Sequence, residues 1–259
     1  MWNWLRKTKD RPAPFPAEWR QIIESRCRFY SRLIDADRHE LETRVRVFLS
    51  RVTFEGCGGL ELNDEIRVVI AAFACRLLLH RNLDDYRRLK TVVVYPGVYV
   101  VPTARHVGSG VMEESREHRA GESWHEGAVV LAWDEVCEAL AHPGSGQNVV
   151  LHEFAHQLDF EDGQANGVPS LGLGEPLWTR KHRYSDWARV MRTEYARLQS
   201  QVQRGENTVL REYGATNPAE FFAVATECFF GRPQEMQHAH PKLYAAMKEF
   251  YRQDPVLTS

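Results

Sequence analysis

The chain has no run of about eighteen apolar residues, so no segment reads as a membrane-spanning helix. Its start, Met1-Trp2-Asn3-Trp4-Leu5-Arg6-Lys7-Thr8-Lys9, carries charge but no apolar h-region behind it, which excludes a signal-peptide reading. No C-x-x-C pair occurs. The five cysteines, Cys27, Cys57, Cys75, Cys137 and Cys228, are scattered and odd in number, which argues against a disulfide framework and for a reduced, cytoplasmic setting. Charge of one sign is also lacking. A formal net charge of −2 gives no electrostatic case for direct nucleic-acid binding or for an anionic membrane. The glycine-rich stretch Thr53 to Leu62 lacks the G-K-[ST] ending of a phosphate loop and reads as a turn between helices.

What is present is an ordinary globular composition over 259 residues, 43% hydrophobic and 26% charged, enough for one large domain or two lobes around a cleft. Arg11-Pro12-Ala13-Pro14-Phe15-Pro16 cannot be helical and reads as an extended leader spanning residues 1–18. Apolar spacing predicts helices from Trp19 to about Tyr30 and from Asp35 to Leu49, then an all-round apolar, buried one from Ile66 to Leu79 after Asn63-Asp64-Glu65. The β-branched and aromatic stretches Thr91 to Pro102 and Gly127 to Trp133 predict strands, with a polar loop or hairpin arm at 108–122 between them. Asp134 is a candidate cap for a helix from Glu135 to Ala141. Further helices are predicted over Leu177 to Gln203, from Pro218 with Asn217 as cap, and over Pro241 to Gln253. His238 and His240 read as surface residues on a loop.

The chemistry concentrates in Val149-Val150-Leu151-His152-Glu153-Phe154-Ala155-His156-Gln157-Leu158-Asp159. On a helix, residues four apart lie on one face, so His152 and His156 can direct two imidazole nitrogens at one point. Zn2+ takes such nitrogens and, in catalytic sites, leaves a position for water. Glu153 is rotated by about 100° from His152, within reach of that water as a general base.

A third ligand is needed. Asp162 stands six residues after His156, a metzincin-like spacing, but the glycine that spacing requires is replaced by Asp159. Glu220, an acid in an otherwise apolar segment on a separate helix, is the better candidate, since a carboxylate there is costly unless paired or metal-bound. Asn217-x-x-Glu220 also fits a capping box, in which Glu220 would only close the helix start. Glu227, seven residues on, can support a histidine or be the ligand itself. Asp159 can orient a ligand, cap the helix end or stand solvated. Tyr213 beside Gly214 fits a packed turn tyrosine.

These motifs, with Gly167-Val168-Pro169, Tyr213-Gly214-Ala215, Pro218-Ala219-Glu220-Phe221-Phe222-Ala223-Val224 and the tail Phe250-Tyr251-Arg252-Gln253-Asp254-Pro255, resemble the Mlc titration factor A family of zinc peptidases. The resemblance implies a zincin-like α+β fold of the gluzincin type, mostly helical with a small mixed β-sheet lining the cleft, over residues 19–259. It implies one Zn2+ held by His152, His156 and Glu220, with Glu153 as general base. It also implies Tyr213 as a catalytic residue, as in the related catalytic domain of anthrax lethal factor. The expected activity is peptide hydrolysis, aminopeptidase-like on small peptide substrates. The expected partner is a transcriptional repressor of the Mlc type. The alternative function is a regulatory binding module in which catalysis is secondary.

Overall fold

A computed structural model describes residues 14–81, 83–97, 127–171 and 177–258. The order opens with helix α1 (Ala17–Arg26) and a 3-10 turn (Arg28–Arg32), then α2 (Asp35–Arg51), β1 (Thr53–Gly56), α3 (Asp64–Arg76) and β2 (Thr91–Tyr95). After β3 (Ala128–Ala132) come α4 (Trp133–Ala141), α5 (Val149–Asp159), α6 (Leu177–Gln203), α7 (Pro218–Gly231), α8 (Pro233–Ala239) and α9 (Pro241–Tyr251). Mostly helical with one small sheet, this is the expected α+β class.

The described strands pair in the order β1-β2-β3 and are all parallel, not mixed. Thr53 faces Thr91 across the first pair and Tyr95 faces Ala132 across the second. Strand β1 corrects the expected turn at 53–62. Its four residues carry no apolar run, and its place is set by backbone pairing: Thr53 N–H donates to Lys90 O and Cys57 N–H to Val94 O, each at 2.9 Å. Its last residue has to be glycine, because a Cβ at Gly56 would lie 2.2 Å from Leu60 O. Parallel strands need a crossover, and α3 supplies it between β1 and β2. Asn63 caps α3 by accepting Ile66 N–H at 2.9 Å.

Other boundaries shift for local reasons. The first predicted helix breaks at Cys27, and Phe29 and Tyr30 are buried from the 3-10 turn instead. Helix α4 begins two residues early, with Ala132 at its cap position, and Asp134 accepts its neighbour Glu135 N–H. An unforeseen short helix, α8, leaves His238 exposed on a helix and not on a loop. His240 is not a surface residue: it is 2% exposed, with Nδ1 2.7 Å from Glu194 Oε2. The predicted loop at 108–122 and the strand residues beyond Gly97 lie outside the described residues. Three of the cysteines, Cys27, Cys75 and Cys228, are buried free thiols, the bland reading of small core side chains.

The core is organised around α5 and α7, which pack side by side. Helix α5 also packs on α3 and β3. Val150, Leu151, Phe154, Ala155 and Leu158 of α5 are buried, as is every residue of α7 from Ala219 to Phe230. Phe154 is fully buried, with its ring centroid 5.7 Å from Phe48 and 5.3 Å from Tyr86. Helix α6 closes the other side. Its Trp187 meets Phe222 edge-on, lies tilted against Phe250 and donates Nε1–H to Gly167 O at 3.1 Å. No helix among the described residues is long and apolar enough to cross a membrane.

Because Phe154 anchors the histidine-bearing helix, Phe154→Ala is expected to lower unfolding free energy by about 3–5 kcal/mol, read from chemical denaturation of the variant against the parent.

Candidate metal centre

Two capped helices set the site. Asn148 starts α5 by accepting Leu151 N–H at 3.0 Å. One turn in, His152 and His156 stack on the same face, their ring centroids 4.8 Å apart. Asn217 starts α7 by accepting Glu220 N–H at 3.0 Å, with Pro218 in the first turn, where a missing N–H costs nothing. So half of the capping box exists. The Glu220 side chain, however, points to the histidines: its Oε2 lies 3.0 Å from His152 Nε2 and 3.4 Å from His156 Nε2.

The two Nε2 atoms are themselves 3.2 Å apart. His152, His156 and Glu220 are all buried, and one ligand atom from each lies within 4.8 Å of the others. Two imidazole nitrogens and a carboxylate oxygen converging in a buried place form a donor set that fits a divalent transition metal such as zinc.

The electrostatics point the same way. Burial opposes the His152 imidazolium, but hydrogen bonding to Glu220 and Glu227 overrides it and pushes the ring's pKa up to about 10. Burial dominates at His156 and lowers it to about 4. For Glu220, burial is outweighed by the two histidines, which draw the carboxyl down to about 2. The carboxylates thus bring opposite charge to His152, while burial keeps His156 neutral, the form in which an imidazole ligates a metal.

Behind His152 lies a second layer. Glu227, 1% exposed, sets Oε1 2.5 Å from His152 Nδ1 and accepts Asn148 N–H through Oε2 at 2.8 Å. Arg211 pairs with the same carboxylate. Glu227 thus holds the ring's far nitrogen and leaves Nε2 facing Glu220. The Arg211 contribution has no motif in the sequence, since it comes from the segment before the 3-10 turn Glu212–Ala215.

Tyr213 sits in that turn, 46% exposed, its ring centroid 6.0 Å from that of His152. The turn is held from α6, where Tyr195 Oη and Gln199 Nε2 donate to Ala215 O at 3.1 and 3.4 Å. Burial, then the carboxylates of Glu220 and Glu153, push the Tyr213 phenol up to about 12. Glu153 is buried beside His152, close enough that its charge acts on both His152 and Tyr213.

The competing acid does not join them. Asp162 accepts Gln164 N–H at 2.9 Å and closes its own turn. Asp159, fully buried, accepts Gly167 N–H at 2.7 Å. Gly167 has φ +75°, and a Cβ there would lie 2.4 Å from Pro218 O, so this glycine lets the loop pass close over the start of α7. Asp159 is thus a tether between the end of α5 and the loop over α7. Outside this site, Asp37, Glu40 and exposed His80 also cluster, a grouping that spacing did not reveal. Arg44 and His80 N–H already occupy the Glu40 carboxylate.

Comparison with known proteins follows the same motifs. The glucose-regulated metallo-peptidase M90 family matches residues 1–252. An uncharacterized protein of Synechocystis sp. is 42% identical over 245 residues, covering 94% of this chain and 86% of that protein. Mlc titration factor A of Klebsiella pneumoniae is 29% identical over 259 residues, covering 99% and 93%. That of Escherichia coli is 30% identical over 227 residues, covering 86% and 82%. The chain belongs to the glucose-regulated metallo-peptidase M90 family, as its motifs implied.

Asp159 yields a pH prediction. Burial raises its carboxyl from 3.8 to about 7 against the pull of the Gly167, Val168 and Asn166 amides. A raised acid favours the neutral form in the folded state. Its relative stability is therefore intact below pH 3.8 and declines as pH rises through about 7. Compared with Asp159→Asn, which keeps an acceptor for Gly167, metal-free parent protein should lose up to about 4 kcal/mol across that window, measured by denaturant titration at a series of pH values.

Proposed function

We propose that this M90 family member is a zinc-dependent peptidase that hydrolyses peptide bonds, aminopeptidase-like on small substrates. His152, His156 and Glu220 are its metal ligands, Glu153 its general base and Tyr213 its oxyanion donor. The observation that carries the proposal is the buried convergence of His152, His156 and Glu220 with an acid, Glu153, next to the first of them. When bound, zinc supplies Lewis acidity to the scissile carbonyl and the attacking water.

The remaining work belongs to the chain's own groups. Glu153 takes a proton from the attacking water and returns it to the leaving amine. Glu227 accepts the hydrogen on His152 Nδ1, which fixes the tautomer and keeps Nε2 turned inward. Tyr213, with its phenol pushed to about 12, stays protonated near neutral pH and can donate to the developing oxyanion. Its partial exposure suits a group at the mouth of the site. β3 pairs only with β2 among the described strands, and its other side would be the edge that holds an extended peptide backbone. We assign the chain from α1 onward, which begins at Ala17 inside the expected leader, to one zincin-like catalytic domain acting in the cytoplasm, where its free thiols stay reduced.

The names of two relatives favour a second reading. They are titration factors of Mlc, and this chain would by analogy bind a transcriptional repressor of that type, with catalysis secondary to the binding. Glu153 argues for hydrolysis, because a zinc site serving only structure has no use for an acid there.

Chromogenic aminoacyl substrates assayed with and without chelator separate the two readings. Hydrolysis should stop on metal removal. It should fall by about 10²-fold or more in Glu153→Gln with zinc retained, and by about 10²-fold in Tyr213→Phe. Chelator-insensitive cleavage, or an unaffected Glu153→Gln, sinks the peptidase reading. Repressor binding that survives in Glu153→Gln while no peptide is cleaved by the parent supports the second.

A further inference from the structure

A cavity of about 50 Å³ lies where α1, α3 and α4 meet the start of α5, on the far side of Glu227 from the metal centre. That is room for a few waters or one small oxyanion. Its lining is unusually basic. Arg76 lies across it, sandwiched between two rings, its guanidinium carbon 4.3 Å from the centroid of Phe29 and 4.7 Å from that of Phe230. Among the described residues no carboxylate touches this guanidinium, and the ionisable neighbours acting on it are Cys27 and another cation, Arg32. Burial accordingly pushes it down, to about 9.

Arg28, exposed at the rim, likewise has no acidic partner among the described residues. The other charges are already matched. Arg26 pairs with Glu65 at 2.7 Å, and Glu227 is taken up by Arg211 and His152. Asn148, the cap of α5, and Gln147 also line the cavity, with the Asn148 N–H already donated to Glu227 Oε2 at 2.8 Å.

A guanidinium held between two aromatic faces, half-buried and with no carboxylate on it among the described residues, has its fork free to receive an anion. The planar fork of arginine suits a phosphate oxygen pair. We propose that this cavity is a binding site for a phosphate group, held by Arg76 and Arg28 at the start of α5, either as inorganic phosphate or as the terminal group of a small phosphomonoester. The proposal is independent of the peptidase reading.

Thermal unfolding of the full chain, titrated with inorganic phosphate at ionic strength held constant with chloride, tests it. A midpoint that rises with phosphate is expected. Arg28→Gln, on the surface and tolerant of change, should weaken phosphate about tenfold, the worth of one charge-assisted hydrogen bond, and Arg76→Met should abolish the response. Arg204→Gln, an exposed arginine elsewhere, should respond like the parent. Glycerol phosphate distinguishes the sources: a response equal to or stronger than that to phosphate assigns the site to a phosphomonoester, and none assigns it to the free ion. No phosphate response above the chloride control overturns the proposal. So does a response of parental strength in Arg28→Gln, which remains decisive even if Arg76→Met fails to fold and which also identifies phosphate acting on bound metal.

Discussion

Burying the Glu220 carboxylate against two imidazoles is the constraint around which this molecule is built. Taking an ion out of water costs several kcal/mol, and opposite charge repays it only with good geometry. Here the geometry is supplied by helices far apart in sequence. Helix α5 carries the histidines and α7 the acid, and the two pack side by side, each buried along its length. Both helices start with asparagine caps, so their first turns, where His152 and Glu220 sit, are held in place. Gly167 then lets the loop after α5 pass within contact of Pro218, and Asp159 tethers that loop from below.

Charges alternate outward from the centre. Arg211 faces Glu227, Glu227 faces His152, and His152 faces Glu220. Seven residues are about two turns, or about 10.5 Å, along α7, and the His152 ring fits between the two carboxylates. One acid therefore fixes the ring while the other converges on its second nitrogen. The order explains why the pair is not interchangeable: Glu227 already satisfies Nδ1, the Asn148 amide and Arg211, whereas Glu220 meets only the two histidine Nε2 atoms and the tyrosine at the mouth. A small cation at the junction would balance the carboxylates in place of a proton.

Much of this was legible in the sequence. The spacing of His152 and His156 gave their shared face, since helical periodicity is local. The helix start at Asn63-Asp64-Glu65, the cap Asn217 and the span of α6 followed from residue chemistry alone, and the family was identifiable from its motifs. Other features depend on contacts that sequence spacing does not encode. Asn217-x-x-Glu220 satisfies a capping box and a ligand position equally well, and only the packing of α7 on α5 separates them. The choice between Glu220 and Glu227 turns on which nitrogen of one ring each carboxylate meets. Strand β1 is held by backbone pairing to β2 with little apolar patterning of its own. His240 looked like a surface histidine because its partner, Glu194, comes from another helix.

The most direct test of the account is an anomalous-scattering map collected at the zinc edge from crystals of the purified protein. A single peak bonded to His152 Nε2, His156 Nε2 and a Glu220 oxygen, with one position left for solvent, is the predicted result. A peak elsewhere, a fourth side chain completing the coordination, or a Glu220 carboxylate turned away from the metal would contradict it.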